Sequence, residues 1–473
     1  MNRTAIIIGG GIAGLAAAAA LADEGFQVTV YEKRALLGGR ASSFIDPESG
    51  DRVDNCQHVT MRCCTNLEDF YRRIGVLDKI KYHEAILFLD GEGRTSKLRG
   101  SFLPAPLHTL PSFITFRALA IRDKLAIARG LFSILRAPQG PSLDEETMAC
   151  WLARSRQTQR SIDRFWRPIL VSACNEDLDR ISCRHAFKIF RDGFLATSVG
   201  YQIGLPTVPL GDLYTEPAIR YLEKRGANVR LKEHIDSINV TGLCVDSLTL
   251  ANGEKVKADT YVSAVPFDLL LKMLPNWTLE LPHFSQLRNL EYSPITGVHL
   301  WFDRELPVPP AIALLDREMQ WIFNKTENYH SNDPTTYLGL VVSSAKKLAD
   351  MPREEIVNIA LDEVCACVPE AREAKLLKSH VIKERKATFS PMPGADQWRP
   401  AQRTPIANLF LAGDWTATGW PATMEGAVRS GYLAAENIFD AEGIARRVLV
   451  PDLKQSALSR ILIAPNKECD SRS

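Results

Sequence analysis

Residues 4–32 restrict the fold more than any other stretch of the chain. Thr4-Ala5-Ile6-Ile7-Ile8 is a short β-branched run, the pattern of a buried parallel strand. Gly9-Gly10-Gly11-Ile12-Ala13-Gly14 follows and satisfies G-x-G-x-x-G, and the alanine-rich run from Leu15 to Asp23 reads as a helix. Gly25 ends that helix, and Gln27-Val28-Thr29-Val30-Tyr31 makes a second strand, with Glu32 and Lys33 at its end. Each part has a physical task. Gly9 permits a tight turn, Gly11 lets backbone approach a pyrophosphate, and Gly14 lets helix pack closely on strand. The helix start, at Ile12 and Ala13, turns free N–H groups and the positive dipole end toward phosphates. Glu32 is placed to accept hydrogen bonds from a ribose hydroxyl. An ordinary glycine-rich turn needs none of this order. The glycines at 9, 10, 11 and 14 also argue against reading the uncharged run Ala5 to Ala22 as an export signal or membrane span, because they interrupt the helix.

A chain of 473 residues calls for two or three domains. Lysine and arginine total 57 against 56 acidic residues, a balance with no electrostatic footprint for nucleic acid. Ten cysteines are scattered without a CxxC pair, so no metal is expected and reduced thiols in the cytoplasm are.

Three further segments extend the first motif. Leu37-Gly38-Gly39-Arg40 follows closely on Glu32. Pro217 to Lys224 reads as a helix and Val229-Arg230-Leu231 as a strand; His234 to Ile238 and a strand over Asp259 to Pro266 come next. Near the other end, Asn408 to Asp414 is an apolar strand closing on Gly413-Asp414, and Ala422-Thr423-Met424-Glu425-Gly426 opens a helix continuing to Phe439. Together these segments resemble the FAD fingerprints of the flavin amine oxidase and carotenoid desaturase superfamily. The resemblance implies an α/β fold: a Rossmann-like FAD-binding domain from roughly 1–95, 205–270 and 385–442, with a mixed α+β substrate or cap domain inserted from roughly 96–204 and 271–384. Residues 443–473 are left as a C-terminal tail. It also implies non-covalent FAD. Gly39 and Arg40 would lie near the diphosphate, Gly413 and Asp414 at the ribityl–diphosphate, and Ile235 would place a backbone group on the adenine. Thr423 and Met424 would turn helix N–H groups to the flavin's pyrimidine edge, where a helix dipole stabilises the charge of a reduced flavin.

A narrower resemblance lies in Val53 to Val59, Phe165 to Leu170, Pro209 to Tyr214 and Gly419 to Gly426, which look like the hydroxysqualene dehydroxylases, or squalene-associated FAD-dependent desaturases. Two departures stand out: Cys56, where that pattern has glycine, and Cys174-Asn175-Glu176-Asp177. The resemblance implies reduction of the allylic alcohol hydroxysqualene to squalene in hopanoid or triterpenoid synthesis. It requires a long apolar isoprenoid substrate and an electron donor that the sequence leaves unidentified. An acid must protonate the departing hydroxyl, and His58 and Gln57 are the catalytic candidates. Arg167, Asn175 and Glu176 are candidates to line the cap. His58 has a purely structural alternative, Gln57 that of bonding the flavin alone, and Arg167, Asn175 and Glu176 that of a solvated helix end. Rival readings are a carotenoid (phytoene-type) polyene desaturase, a flavin amine oxidase and a non-enzymatic prenyl-binding protein of the same fold. The amine oxidase is disfavoured because Thr423, not an aromatic residue, precedes Met424-Glu425-Gly426. Finally, Leu98 to Ala137 mixes apolar and basic residues. It reads either as a peripheral contact with the inner face of the cell membrane or as a helix pair covering an apolar pocket.

Overall fold

The computed structural model describes residues 3–46, 50, 52–138, 140–330 and 334–464; residues 465–473 of the expected tail lie outside them. Three distant regions of chain meet in one five-stranded sheet. Its order is Asn228–Leu231, Gln27–Glu32, Thr4–Ile8, Thr260–Ser263, Leu409–Leu411, and every pairing is parallel. The helix Ile12–Asp23 is buried along its whole length from Ile12 to Ala22. A helix enclosed on every side has no use for a polar stripe, which explains the uncharged run. Its covering partner is the helix Met424–Ala441. A Cβ on Gly431 of that helix would come 2.3 Å from the Ala13 carbonyl oxygen, and one on Gly14 would come 2.1 Å from that of Gly9. The alanines and these two glycines are therefore steric requirements of sheet, helix and helix stacked in close contact. The helix expected from Pro217 begins at Leu210 and runs to Glu223, with Pro217 inside it. Proline favours a first helical turn, and that preference misplaces the start.

A second sheet has seven strands in the order Leu376–Phe389, Tyr292–Phe302, Thr336–Ser343, Trp321–Asn324, Ala311–Leu314, Ala85–Leu89, Thr95–Arg99. Only the pairing of Ala311–Leu314 with Ala85–Leu89 is parallel. The helix Arg353–Cys367 buries Ile356, Ala360 and Val364, a spacing of four, in the core that holds Val298 and Leu300. Between the two sheets in sequence lies a helical unit with an aromatic core. Trp166 meets Phe165 and Phe190 edge-on at 5.3 and 4.8 Å, and Trp151 meets Phe187 at 5.1 Å. The chain beyond Met424–Ala441 returns across this unit. Ser456 Oγ donates to the Ala105 carbonyl and Ser459 Oγ to the Leu195 carbonyl, both at 2.6 Å. Among the described residues, no helix is long and apolar enough to cross a membrane.

Candidate functional site

The parallel sheet delivers its loops to one edge. Gly9 turns there with φ +104°, in the region open to glycine, and its N–H donates to the Tyr31 carbonyl at 2.9 Å. Gly38 N–H donates to the Gly10 carbonyl at 2.9 Å, and a Cβ on Gly39 would sit 3.0 Å from Gly11 Cα. The Gly-Gly-Arg loop therefore lies backbone to backbone on the first glycine turn. Glu32 is buried, its two oxygens accepting the N–H groups of Gly10 and Arg34 at 2.8 Å each. A carboxylate has further lone pairs, so one ribose hydroxyl can still be held. Lys33 beside it is exposed. Glu233 N–H donates to the Glu32 carbonyl at 3.1 Å, which brings the buried Ile235 to the same edge.

The closing motif reaches this edge from the far end of the chain. Arg40 spans the junction: Nη1 donates to the Ala387 carbonyl at 2.6 Å and Nη2 to Asp414 Oδ1 at 2.5 Å. Gly413 N–H is held by Ser430 Oγ at 2.7 Å. Thr423 caps the helix, its Oγ1 accepting Gly426 N–H at 3.1 Å. Met424 begins that helix and its sulfur meets the Tyr214 hydroxyl at 3.5 Å. Glu425 is spoken for: its carboxylate accepts from Asn66 and Leu67 N–H, starting the helix Thr65–Ile74, and from Arg429 Nε. Arg399, which sequence reasoning missed, is buried over the Phe389 ring and donates to the Asp414 and Thr416 carbonyls at 3.1 and 2.6 Å. Nothing in the run Arg399-Pro400-Ala401 distinguishes it from a surface arginine.

Gln57 and His58 sit beside this junction, because Asn55 Nδ2 donates to the Arg40 carbonyl at 2.9 Å. Gln57 Oε1 and His58 Nδ1 are buried and have no protein partner. Burial pushes the His58 imidazole down to about 4. It is neutral at pH 7, and a neutral imidazole is a poor acid for a departing hydroxide, which corrects the acid role expected of it. The departure at Cys56 has a steric explanation. Its φ is +61°, the backbone glycine supplies most easily, and a Cβ on facing Gly297 would lie 2.8 Å from Cys56 Sγ. The space a glycine would leave at 56 is provided by glycine at 297. Burial also drives this thiol up to about 12.

The cap-lining candidates are placed otherwise. Arg167 is half exposed and pairs with Asp163 at 3.6 Å. Asn175 is buried with φ +52°; its amide donates to the Ser293 carbonyl and Thr388 Oγ1, and its oxygen accepts Ser344 N–H. Glu176 accepts from Lys346, from Ser390 Oγ at 2.5 Å and from Asp177 N–H at 2.9 Å. Burial works against its charge, but these bonds outweigh it and hold the carboxyl low. Asn175 and Glu176 join the helical unit to the second sheet.

A buried ion pair lies behind Cys56. Asp54 Oδ2 accepts from Lys325 Nζ at 2.9 Å and from the Tyr329 hydroxyl at 2.6 Å, with Oδ1 bound to Ser43 Oγ and Leu210 N–H. Burial alone would raise the Asp54 carboxyl; adjacent Lys325, with the bonds from Tyr329 and Ser43, brings it down to about 2. His299 Nδ1 meets the Tyr337 hydroxyl at 2.7 Å, and burial pushes it down to about 3. His108 falls to about 4 for the same reason. The unfolded chain takes up protons on these imidazoles near pH 6.5 while the folded chain does not. Their contribution is therefore complete above about pH 6.5 and is lost as pH falls toward about 4, at about 1.4 kcal/mol per pH unit for each buried ring. Urea unfolding at about pH 7.5 and about pH 5 measures this; equal stability at both would contradict it.

Asp144, His185 and Asp396 bring ligand-type atoms within 4.8 Å of one another. Arg399 and Arg184 already bind the two oxygens of Asp396, at 2.7 and 2.9 Å. Two carboxylates face two guanidiniums, so the cluster is charge-balanced without a cation.

The edge suits a flavin dinucleotide. Gly9 and Gly14 leave no room for a Cβ, the helix start presents free N–H groups, and Glu32 keeps lone pairs in reserve. Ser263 Oγ, on the strand residue paired with Ile8, is buried without a partner, as are the Gln57 and His58 atoms. Comparison with known proteins agrees. The family model for flavin containing amine oxidoreductase matches residues 12–439. A zeta-carotene desaturase of Synechocystis sp. is 28% identical, over 91% of this chain and 96% of its own. A 15-cis-phytoene desaturase of Synechococcus elongatus is 27% identical, over 91% and 95%. The solved structure of cyclohexylamine oxidase from Brevibacterium oxydans superposes with a TM-score of 0.66 at 20% identity, covering 94% of this chain and 100% of that one, and shares the fold. These relatives correct the expectation of hydroxysqualene reduction. Both relatives match along nine-tenths of the chain and both are carotenoid desaturases, so the rival reading is the better supported. With FAD as its cofactor and an oxidoreductase's fold around it, the chain belongs to the flavin containing amine oxidoreductase family.

Proposed function

We propose that the chain desaturates a long polyene of the carotenoid type, removing two hydrogens from adjacent carbons to form one double bond. The observation that carries this reading is its likeness, through more than nine-tenths of the chain, to zeta-carotene and phytoene desaturases. Bound FAD supplies the two-electron acceptor for the departing hydride. The chain's own residues suit an uncharged substrate. Around Cys56 and the Asp54–Lys325 pair, His58 and His299 are neutral, the Cys56 thiol stays protonated, and Asp54 is matched by Lys325. A hydrocarbon offers no hydrogen bond, so an unmatched charge here would be desolvated for nothing. The second hydrogen leaves as a proton, which the His58 imidazole, pushed down to about 4 by burial, would pass on rather than keep. The helix start at Thr423 favours the negative charge left on the cofactor side.

A single anaerobic turnover tests this without any external oxidant. Oxidised holoprotein is mixed with phytoene or with zeta-carotene, and flavin absorbance is followed beside the polyene spectrum. Bleaching of the flavin with one new double bond per flavin is the expected result. A flavin that stays oxidised with both polyenes, or that is bleached by cyclohexylamine instead, would reject the reading.

A further inference from the structure

The helix Ile121–Arg136 is apolar on two faces. Ile127, Gly130 and Ile134 enter the aromatic core, where a Cβ on Gly130 would come 2.8 Å from the Trp166 ring. On the opposite side Ile121, Leu125 and Phe132, spaced by four and seven, stand 77%, 66% and 55% exposed. Neighbouring segments add to that side. Lys124 Nζ donates to the Ile114 carbonyl at 2.6 Å, bringing up the exposed Ile114. The returning tail runs from the Ala105 carbonyl to that of Leu135, which accepts Ala464 N–H at 2.9 Å, and it carries Ile461 at 73% exposure. Phe102, on the loop closed by Ser101 and His108, is 95% exposed. Single exposed apolar residues need no explanation, but a group of large ones held together on one side does.

Charge says what covers it. Between residues 99 and 137 there are six basic side chains, Arg99, Arg117, Arg122, Lys124, Arg129 and Arg136, in a protein of net charge +1. The sole acid in that stretch, Asp123, is buried, binding Ala120 N–H and the Thr158 hydroxyl. A second copy of the chain laid symmetrically on this face would set cations against cations. Arg99 is paired with the exposed Glu84 at 2.8 Å, but the stretch itself holds no exposed acid, and apolar side chains among its remaining cations fit a surface that is anionic outside and hydrocarbon beneath.

We propose that this face docks on an anionic lipid bilayer, Phe102, Ile121, Leu125 and Ile461 entering the acyl boundary while the arginines meet lipid phosphates. The membrane reading of the stretch Leu98 to Ala137 is then kept for the outer side of this helix, whose inner side packs on a filled aromatic core rather than over a pocket. The inference stands on the surface alone and does not depend on the polyene reading.

Sedimentation of the full FAD-loaded chain with vesicles tests it. With phosphatidylglycerol–phosphatidylcholine vesicles the protein should pellet, at least about tenfold more tightly than with phosphatidylcholine alone, and salt should weaken the binding. Phe102→Glu and Leu125→Glu should each remove most of it while leaving flavin absorbance and Tm unchanged, since neither side chain enters the core. Protein left in the supernatant with anionic vesicles, variants that pellet like the parent, or a concentration-dependent dimer abolished by these same substitutions would overturn the proposal.

Discussion

Arg40→Ala is expected to lose about 2–3 kcal/mol of stability and most of the bound flavin. The buried Asp414 carboxylate, with a side chain only 6% exposed, loses the guanidinium 2.5 Å away. Breaking a fully buried pair by removing one partner costs about 3–5 kcal/mol. Arg40 is itself one-third exposed, so water replaces part of the loss and the lower figure applies. Arg399 cannot substitute, because it holds only the backbone of Asp414. Arg40→Ala with Asp414→Asn should regain most of the stability, having removed the stranded charge, yet still retain FAD poorly. Urea unfolding and flavin absorbance per chain after gel filtration separate the two effects. An Arg40→Ala protein as stable and as yellow as the parent would contradict the assignment.

Lys325→Met should cost more, about 3–5 kcal/mol, since both ends of the Asp54–Lys325 pair are fully buried. The pH dependence makes the result diagnostic. In the parent, the Asp54 carboxyl lies at about 2 against 3.8 when free. Its contribution is present above pH 3.8 and is lost as pH falls through about 2. Without Lys325 the burial that opposes ionisation prevails, and the folded-state value rises above the free one. The sign then reverses, and the variant should lose stability as pH rises above about 4. Relative to the parent, Lys325→Met should be less impaired at about pH 5 than at about pH 7.5, and Asp54→Asn with Lys325→Met should recover most of the loss. A variant impaired equally at both pH values would show that the charge pair is not what the lysine supplies.

What the sequence makes legible here is what is local. The strand, glycine turn, helix and second strand of residues 4–32 follow from neighbouring residues, and the structure has them in that order. The closing motif is legible for the same reason, and the meeting of the two ends follows from a shared ligand rather than from any pairing visible in the residues. Contacts between distant side chains leave no such trace. Lys325 reads as a polar residue after an apolar strand, and its partner Asp54 is 271 residues away. The exchange of Cys56 for glycine makes sense only with Gly297 facing it. Asn175 and Glu176, adjacent to an apolar helix, look like residues aimed at a pocket but are joints between two structural units. The expectation of hydroxysqualene is corrected for a related reason: the cofactor loops carry a fixed local spacing, whereas no spacing in the sequence marks which cap side chains would meet a substrate.

A single FAD gripped from both ends of the chain is tested most directly by titrating FAD into flavin-free protein and following the quenching of flavin fluorescence. Saturation at one FAD per chain is predicted, with Glu32→Ala and Asp414→Ala each weakening that same site at least about tenfold while leaving the stoichiometry at one. Protein that takes up no FAD, or affinity untouched by a substitution at either end, would contradict it.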